Sequence, residues 1–500
     1  MKFNSLILKF ILILILLSVM NFVYTEYFFE NDLQKYSSNI NLIRKVVDQH
    51  CEVVYFGESS NTTFRQDDID RRSISEMMTD YYPDKLIGHV TMEASHAGIY
   101  YEYIRQIPAQ SNIQTVIVTM NLRSFDASWI YSNLETALQK SIVLLKDRPP
   151  LYSRFLLSFK GYDIKTDQER EQQYRKKWKN DILTFPYPVP YKNVTEWERF
   201  IATNGINNKD GQQDSAMTLL GRHYIKTYAF QIDTLHNPRI RDFDRIVQLA
   251  KERGWHLVFN LMSENTDKAE KLVGHDLTYL MRSNQQLLIE LYRRMGVMVI
   301  DNLDAVRDED YIDQNWTTEH YAQRGRRTIA KNLAEGLRAI YPSDYRDPYA
   351  FAHSRIRFFN DLEGGVHWGS IQSTSDVRSF SGKNSSACGS GQEYSTTFLY
   401  PIQNLPDSLF HLEINFQLFQ ETAEPKANLV IELIGKNIKT NWTGIPLTDI
   451  SQVTNAWTAV HHCYTLPFDF KQYEMIKVYF YNPGQSRIYV DDIDIEFKFK

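Results

Sequence analysis

Three cysteines in 500 residues are too few to staple a fold. Cys51, Cys388 and Cys463 have no spacing that would hold zinc. Only Cys388 and Cys463 share a region and could pair in an oxidising compartment, although two such residues in a β-rich segment are as often free. A basic excess is also missing. The 56 Lys and Arg stand against 61 Asp and Glu, for a net charge of −5 and a pI near 6.3, which removes nucleic acid from the expected partners. There is no internal repeat and no extended low-complexity tract. Long apolar runs are absent except for FILILILLSVMNFVY, residues 10–24, which follows Lys2 and Lys9. That run is long enough for a signal peptide and marginal for a spanning helix. It lacks a small-x-small cleavage site, because Val23, Tyr24 and Thr25 precede Glu26, and no cysteine follows that could be lipidated. Residues 1–25 are therefore expected to be a signal peptide or, by preference, an uncleaved membrane anchor. The rest of the chain would then be extracytoplasmic: secreted, periplasmic or anchored.

The chain is too long for one domain, and its 43% hydrophobic and 23% charged residues are ordinary globular composition. Two short stretches carry most of the chemical information. VVYFGESSN at 53–61 reads as a buried strand that stops at Gly57 and delivers Glu58, Ser59 and Ser60 into a turn. TTEHYAQRGRRTIAKNLAEGL at 317–337 reads as a helix capped by Thr317 or Thr318, with His320 in its first turn. Ile329, Leu333 and Leu337 would lie on its buried face. Between them, TVIVTMNLRSF places Asn121 directly after a β-rich run from Thr115 to Met120, and TMEASHAGIYYEYI places Gly98 between a strand and a helix. Each residue alone has a plainer explanation: a Gly-Glu-Ser-Ser turn is common in α/β proteins, a histidine near a cap is usually at the surface, and an asparagine after a strand is usually a turn residue.

An early strand-to-turn serine followed by a late histidine resembles the SGNH/GDSL hydrolase superfamily over about residues 50–340. Gly57-Glu58-Ser59 stands where that family has Gly-Asp-Ser, and Gly98 and Asn121 stand where it has its two further oxyanion donors. The family's final block, Asp-x-x-His, is not met, because Thr317 lies three residues before His320. The resemblance implies a flavodoxin-like, three-layer α/β domain with a parallel sheet. It also implies Ser59 as nucleophile, His320 as its base, and an oxyanion hole made by the Ser59 and Gly98 N–H groups and the Asn121 amide. The orienting acid would be Asp313, in the loop before His320; Glu319 would point about 100° away from its neighbour on a helix. A serine hydroxyl needs such a base, and the base a carboxylate, to attack an ester carbonyl at neutral pH.

Strand–helix alternation from 237 to 340 predicts a parallel sheet whose ligand site lies at the carboxyl ends of its strands, where SENTD at 263–267 also falls. Residues 140–235 break the pattern and read as an insertion within a domain spanning 26–345. Its aromatics, among them Trp178, Tyr187, Tyr191 and Trp197, are suited either to stacking on sugar rings or to a small satellite core. From 355 to 500, alternating strands predict an all-β jelly-roll sandwich that resembles accessory modules of carbohydrate-active enzymes. That likeness implies no cofactor beyond a structural calcium, with Glu363 and Asp492 as candidate ligands. Sequons at Asn61, Asn193, Asn315, Asn384 and Asn441 read as chance matches, because glycans at Asn61 and Asn315 would obstruct the site. The whole pattern points to a serine esterase acting on acyl, such as acetyl, esters of a glycan. Two alternatives remain: an envelope polysaccharide O-acyltransferase working through the same acyl-serine, and a noncatalytic glycan-binding or envelope-assembly protein.

Overall fold

The computed structural model describes residues 2–208, 210–348, 355–363, 368–369, 371–406, 409–436 and 438–499. The linker expected at 341–354 therefore lies partly outside the described residues, as does the Gly-Gly-Val-His of NDLEGGVHW. The chain divides into two compact units. One comprises Met1–Asp48, Val54–Ser60 and His89–His320; the other comprises Gln49–Val53, Asn61–Gly88 and Tyr321–Lys500. This differs from a division near residue 350, because the segment 61–88 and the helix Gln323–Leu337 group with the C-terminal strands.

Buried, β-branched runs make the central strands of the first unit. β1 (Val53–Gly57) and β3 (Thr115–Met120) are buried at every residue, and β2 spans Ile87–Thr91. A small hairpin joins β4 (Ile206–Asn207) to β5 (Gln213–Asp214), and β6 (His256–Leu261) and β7 (Met298–Asp301) complete the set. The sheet runs β2-β1-β3-β6-β7, with β3 pairing β6 and β6 pairing β7 in parallel. The amphipathic helix Pro238–Arg253 starts on proline and stops at Gly254, whose φ of 70° is the left-handed value that glycine adopts freely. It leads into β6, and the helix His275–Arg294 leads into β7. Chain direction reverses around β1, since β2 lies on one side of it and β3 on the other. Ligands of open α/β sheets bind at the carboxyl ends of the strands beside such a switch point.

The 140–235 segment is mainly helical. Its charged run forms the helix Asp167–Asn180, where Thr166 and Glu169 make a reciprocal capping box. At the N-terminus a helix spans Lys2–Tyr27, of which Ile7–Tyr27 is long and apolar enough to cross a membrane.

The C-terminal part of the second unit is all-β. Its strands are β8 (Arg355–Asn360), β9 (Thr374–Ser375), β10 (Ser385–Cys388), β11 (Phe398–Pro401), β12 (Leu409–Gln420), β13 (Asn428–Ile434), β14 (Asn441–Pro446), β15 (Trp457–Tyr464), β16 (Met475–Tyr481) and β17 (Ile488–Phe499). One antiparallel sheet runs β15-β12-β17-β10-β9, with β8 also on β17; the other runs β11-β16-β13-β14. Alternate residues of both sheets meet in one apolar core that includes Leu412, Ile414, Leu429, Ile431 and Ile495, and Phe416 of β12 meets Phe480 of β16 edge-on at 4.8 Å. Cys388 and Cys463 do not pair, and none of the three cysteines forms a disulfide among the described residues. Two strands lie between β10 and β15, which puts the two residues at least about 14 Å apart across the sheet at a strand spacing of about 4.8 Å, and the register offsets them further along it, beyond disulfide reach.

Candidate active site

β1 delivers its residues to the switch point with little freedom. Glu58 is buried, and Ser59 opens a one-turn helix, Ser59–Thr62. The Ser59 Oγ lies 3.0 Å from His320 Nε2, although 261 positions separate the two residues. On the other side of the ring, His320 Nδ1 lies 2.7 Å from Asp313 Oδ2, and the Thr318 hydroxyl donates to that same oxygen. The N–H of Ile312 donates to the His320 carbonyl at 2.9 Å and closes the loop that carries both the acid and the base. Ser59 and Asp313 are thus each within hydrogen-bond reach of His320, on opposite sides of its ring, in the order nucleophile, base, orienting acid.

The helix expected around His320 starts later. It spans Gln323–Leu337, so His320 lies in the preceding loop, and neither Thr317 nor Thr318 caps it. Thr318 is held by Asp313, and the Thr317 hydroxyl lies 3.3 Å from that of Thr227. The free N–H of Gln323 is met instead by Asp68 Oδ2 at 3.0 Å, an anion at a helix N-terminus. Glu319 is not an alternative orienting acid: it is buried and paired with Arg123.

The two expected oxyanion donors have other partners. Gly98 donates its single N–H to His96 Nδ1 at 3.2 Å, capping the helix Ala97–Ile104. Its lack of a side chain serves packing there, since a Cβ would stand 2.6 Å from Asp242 Oδ2. Asn121 does follow β3, and its Nδ2 donates to Glu58 Oε1 at 2.8 Å. An amide nitrogen carries two hydrogens, so one remains for a second acceptor.

Behind the serine and histidine lies a group that the sequence reading did not foresee. Glu58, Glu264 and Glu319 are all buried and surround one cation, Arg123. Glu58 follows β1 and Glu264 follows β6, the two strands that flank β3 in the sheet, and Arg123 follows β3 itself. The Tyr228 hydroxyl donates to Glu264 Oε2 at 2.5 Å, and an Arg123 nitrogen pairs with Glu319. Burial raises the Glu58 carboxyl to about 7, and the Glu319 charge adds to this; Arg123 and the Asn121 amide oppose the rise. Burial likewise raises Glu264 to about 7 and Glu319 well above the carboxylate range. Arg123 stays firmly protonated: burial disfavours the cation, but Glu319 and Glu58 more than offset it. The signal for this group was present in GES and SEN, each an acid at the end of an apolar strand, but pairwise order along a chain does not reveal a shared cation.

The insertion's aromatics divide. Tyr191 and Trp197 stack on each other at 4.2 Å and are buried, as a satellite core requires. Tyr187 packs edge-on against Tyr279, whereas Trp178 borders a cavity. In the β unit, Glu363 Oε1 accepts the amides of Lys383 and Asn384, and Asp492 Oδ1 accepts the Ser381 hydroxyl. Both carboxylates brace one loop, and among the described residues no three His, Cys, Asp or Glu side chains gather as a metal site. Two sequons are inaccessible in the fold: Asn61 is buried against Ser75, and Asn193 caps the helix Val194–Asn204.

No family model matches the chain, and no curated protein does. Among solved structures, the CBM22-1 xylan-binding domain from Paenibacillus barcinonensis Xyn10C matches at 12% identity, covering 25% of this chain and 80% of its own, with a TM-score of 0.19. A xylan-binding domain from CBM 22 matches at 12% identity over 28% of this chain and 93% of its own, with a TM-score of 0.21. A protein from Streptococcus pneumonia, provisionally named a platelet activating factor, matches at 9% identity over 62% of this chain and 95% of its own, with a TM-score of 0.28. At such scores none of them assigns a function, and the site stands on its own geometry.

Proposed function

We propose that this protein is an extracytoplasmic serine esterase of the SGNH/GDSL kind, removing acyl groups such as acetyl from a glycan. The observation that carries the reading is the relay from Ser59 Oγ to His320 Nε2 at 3.0 Å and from His320 Nδ1 to Asp313 Oδ2 at 2.7 Å. Ser59 Oγ attacks the ester carbonyl while His320 Nε2 takes its proton, and the imidazolium so formed is stabilised by Asp313. Collapse of the tetrahedral intermediate breaks the ester C–O bond, and His320 returns the proton to the departing sugar oxygen. Water, deprotonated by His320, then attacks the acyl-serine and releases the acid. In this reading the second amide hydrogen of Asn121 and the Ser59 N–H would serve the developing oxyanion, each such donor being worth about 3 kcal/mol.

Ser59→Ala should abolish hydrolysis of p-nitrophenyl acetate and labelling by a fluorophosphonate. Ser60→Ala, at a buried hydroxyl, should retain most of both. Equal losses at the two positions, or labelling that survives Ser59→Ala, would reject the assignment. An N-terminal helix able to cross a membrane supports placing the enzyme at an envelope surface.

A further inference from the structure

A cavity of about 490 Å³ in the first unit, within the usual range for a small-ligand site, lies outside the relay just described. Three of the chain's eight tryptophans, Trp129, Trp178 and Trp316, line it. Trp129 and Trp178 are half-buried and Trp316 is 52% exposed, so these rings line a concavity instead of filling a core. The rings are held in place by neighbours: Trp178 lies 4.7 Å from Tyr174, and Trp316 lies 4.4 Å from His223. Flat faces of this kind match the C–H faces of sugar rings. The charge of the wall narrows the ligand further: Arg123, Arg170, Arg175 and Lys226 line it beside two carboxylates, Asp167 and Glu171, and the partners of Arg123, Arg170 and Lys226 (Glu319, Asp163 and Glu198) lie outside the lining.

Arg123 is the most telling of the four. It is 6% exposed, and its guanidinium lies over the Trp129 ring at 4.4 Å, which fixes that ring in the wall. Its nitrogens donate to the Thr317 carbonyl and pair with Glu319. The cavity wall therefore belongs to the same 316–320 segment that carries His320.

We propose that this cavity is a subsite for a sugar ring bearing a carboxylate, so that the glycan presented to Ser59 is an acidic, hexuronate-containing polymer. The proposal rests on the esterase reading for the role of that polymer, but binding itself does not need the nucleophile. The test is calorimetric titration of the full chain in detergent, carrying Ser59→Ala, with trigalacturonate and with neutral xylotriose. Trigalacturonate should bind at least about tenfold more tightly than xylotriose, with an affinity that falls as salt rises. Trp316→Ala, at an exposed ring, should weaken it by about tenfold or more, while Trp316→Phe restores most of the loss; Lys226→Met should weaken it and flatten its salt dependence. Equal binding of the two sugars, no binding of either, or unchanged binding in Trp316→Ala would overturn the proposal. Because hydrolysis is not measured, selective trigalacturonate binding beside an inert p-nitrophenyl acetate assay would remove the esterase and keep the subsite.

Discussion

Asp313→Asn changes one oxygen to an amide and leaves the shape of the site in place. The carboxylate oxygen lies 2.7 Å from His320 Nδ1, and the two side chains are 35% and 24% exposed. At that separation a full charge pair in an effective dielectric of 20 is worth about 6 kcal/mol, and partial exposure roughly halves it to about 3 kcal/mol. That stabilisation exists only while His320 holds the proton from Ser59, so its loss falls on kcat, at about tenfold per 1.36 kcal/mol. An Asn side chain that donates to Nδ1 would also fix the wrong tautomer, leaving Nε2 protonated and unable to accept from Ser59, which deepens the loss to about 10³–10⁴-fold. The assay is kcat for p-nitrophenyl acetate across pH, with KM measured alongside. Thr318→Val, which removes only the second donor to the same carboxylate oxygen, should cost about tenfold. A kcat for Asp313→Asn within tenfold of the parent, beside an inactive His320→Ala, would show that Ser59 and His320 work as a dyad and refute the reasoning.

Two further outcomes concern stability. Glu58 titrates near 7 when folded, above its unfolded value of about 4.3, so the folded state holds an extra proton between those values. Its stability penalty is absent below about pH 4.3, grows as pH rises, and is complete above about pH 7, reaching roughly 4 kcal/mol. Glu58→Gln, which keeps a carbonyl acceptor for Asn121, should therefore raise the urea midpoint at pH 8 and leave it nearly unchanged at pH 4; the same gain at both pH values would exclude the titration. Arg326, fully buried, donates to the carbonyls of Arg72, Thr63, Tyr321 and Asp70 and to Asp68 Oδ2. Arg326→Met takes the cation from the buried Asp68 carboxylate, leaving it only backbone N–H donors, and strips several carbonyls of theirs; it should cost about 3–5 kcal/mol in chemical unfolding, whereas a loss below 1 kcal/mol would mean that water reaches the network.

What the sequence determined by itself is what short-range patterning controls. Apolar runs of strand length placed β1, β3, β6 and β7, helical periodicity with Pro238 and Gly254 bounded one helix, and alternation from residue 355 onward announced the antiparallel sheets. The position of Ser59 at the end of β1 and of Asn121 after β3 followed from the same signals. The onset of the helix Gln323–Leu337 did not, because Thr317 and Thr318 are sound caps by composition but are held by Thr227 and Asp313, far-off or looped-back partners that no local rule supplies. Gly98 matched a motif position yet gives its N–H to His96, an acceptor only two residues away that composition alone does not single out. Only the tertiary structure gathers Glu58, Glu264 and Glu319 around Arg123, and only it separates Trp178 beside a cavity from Trp197 in a core. Burial and charge pairing depend on which strands become neighbours, and a parallel sheet makes neighbours of residues hundreds of positions apart.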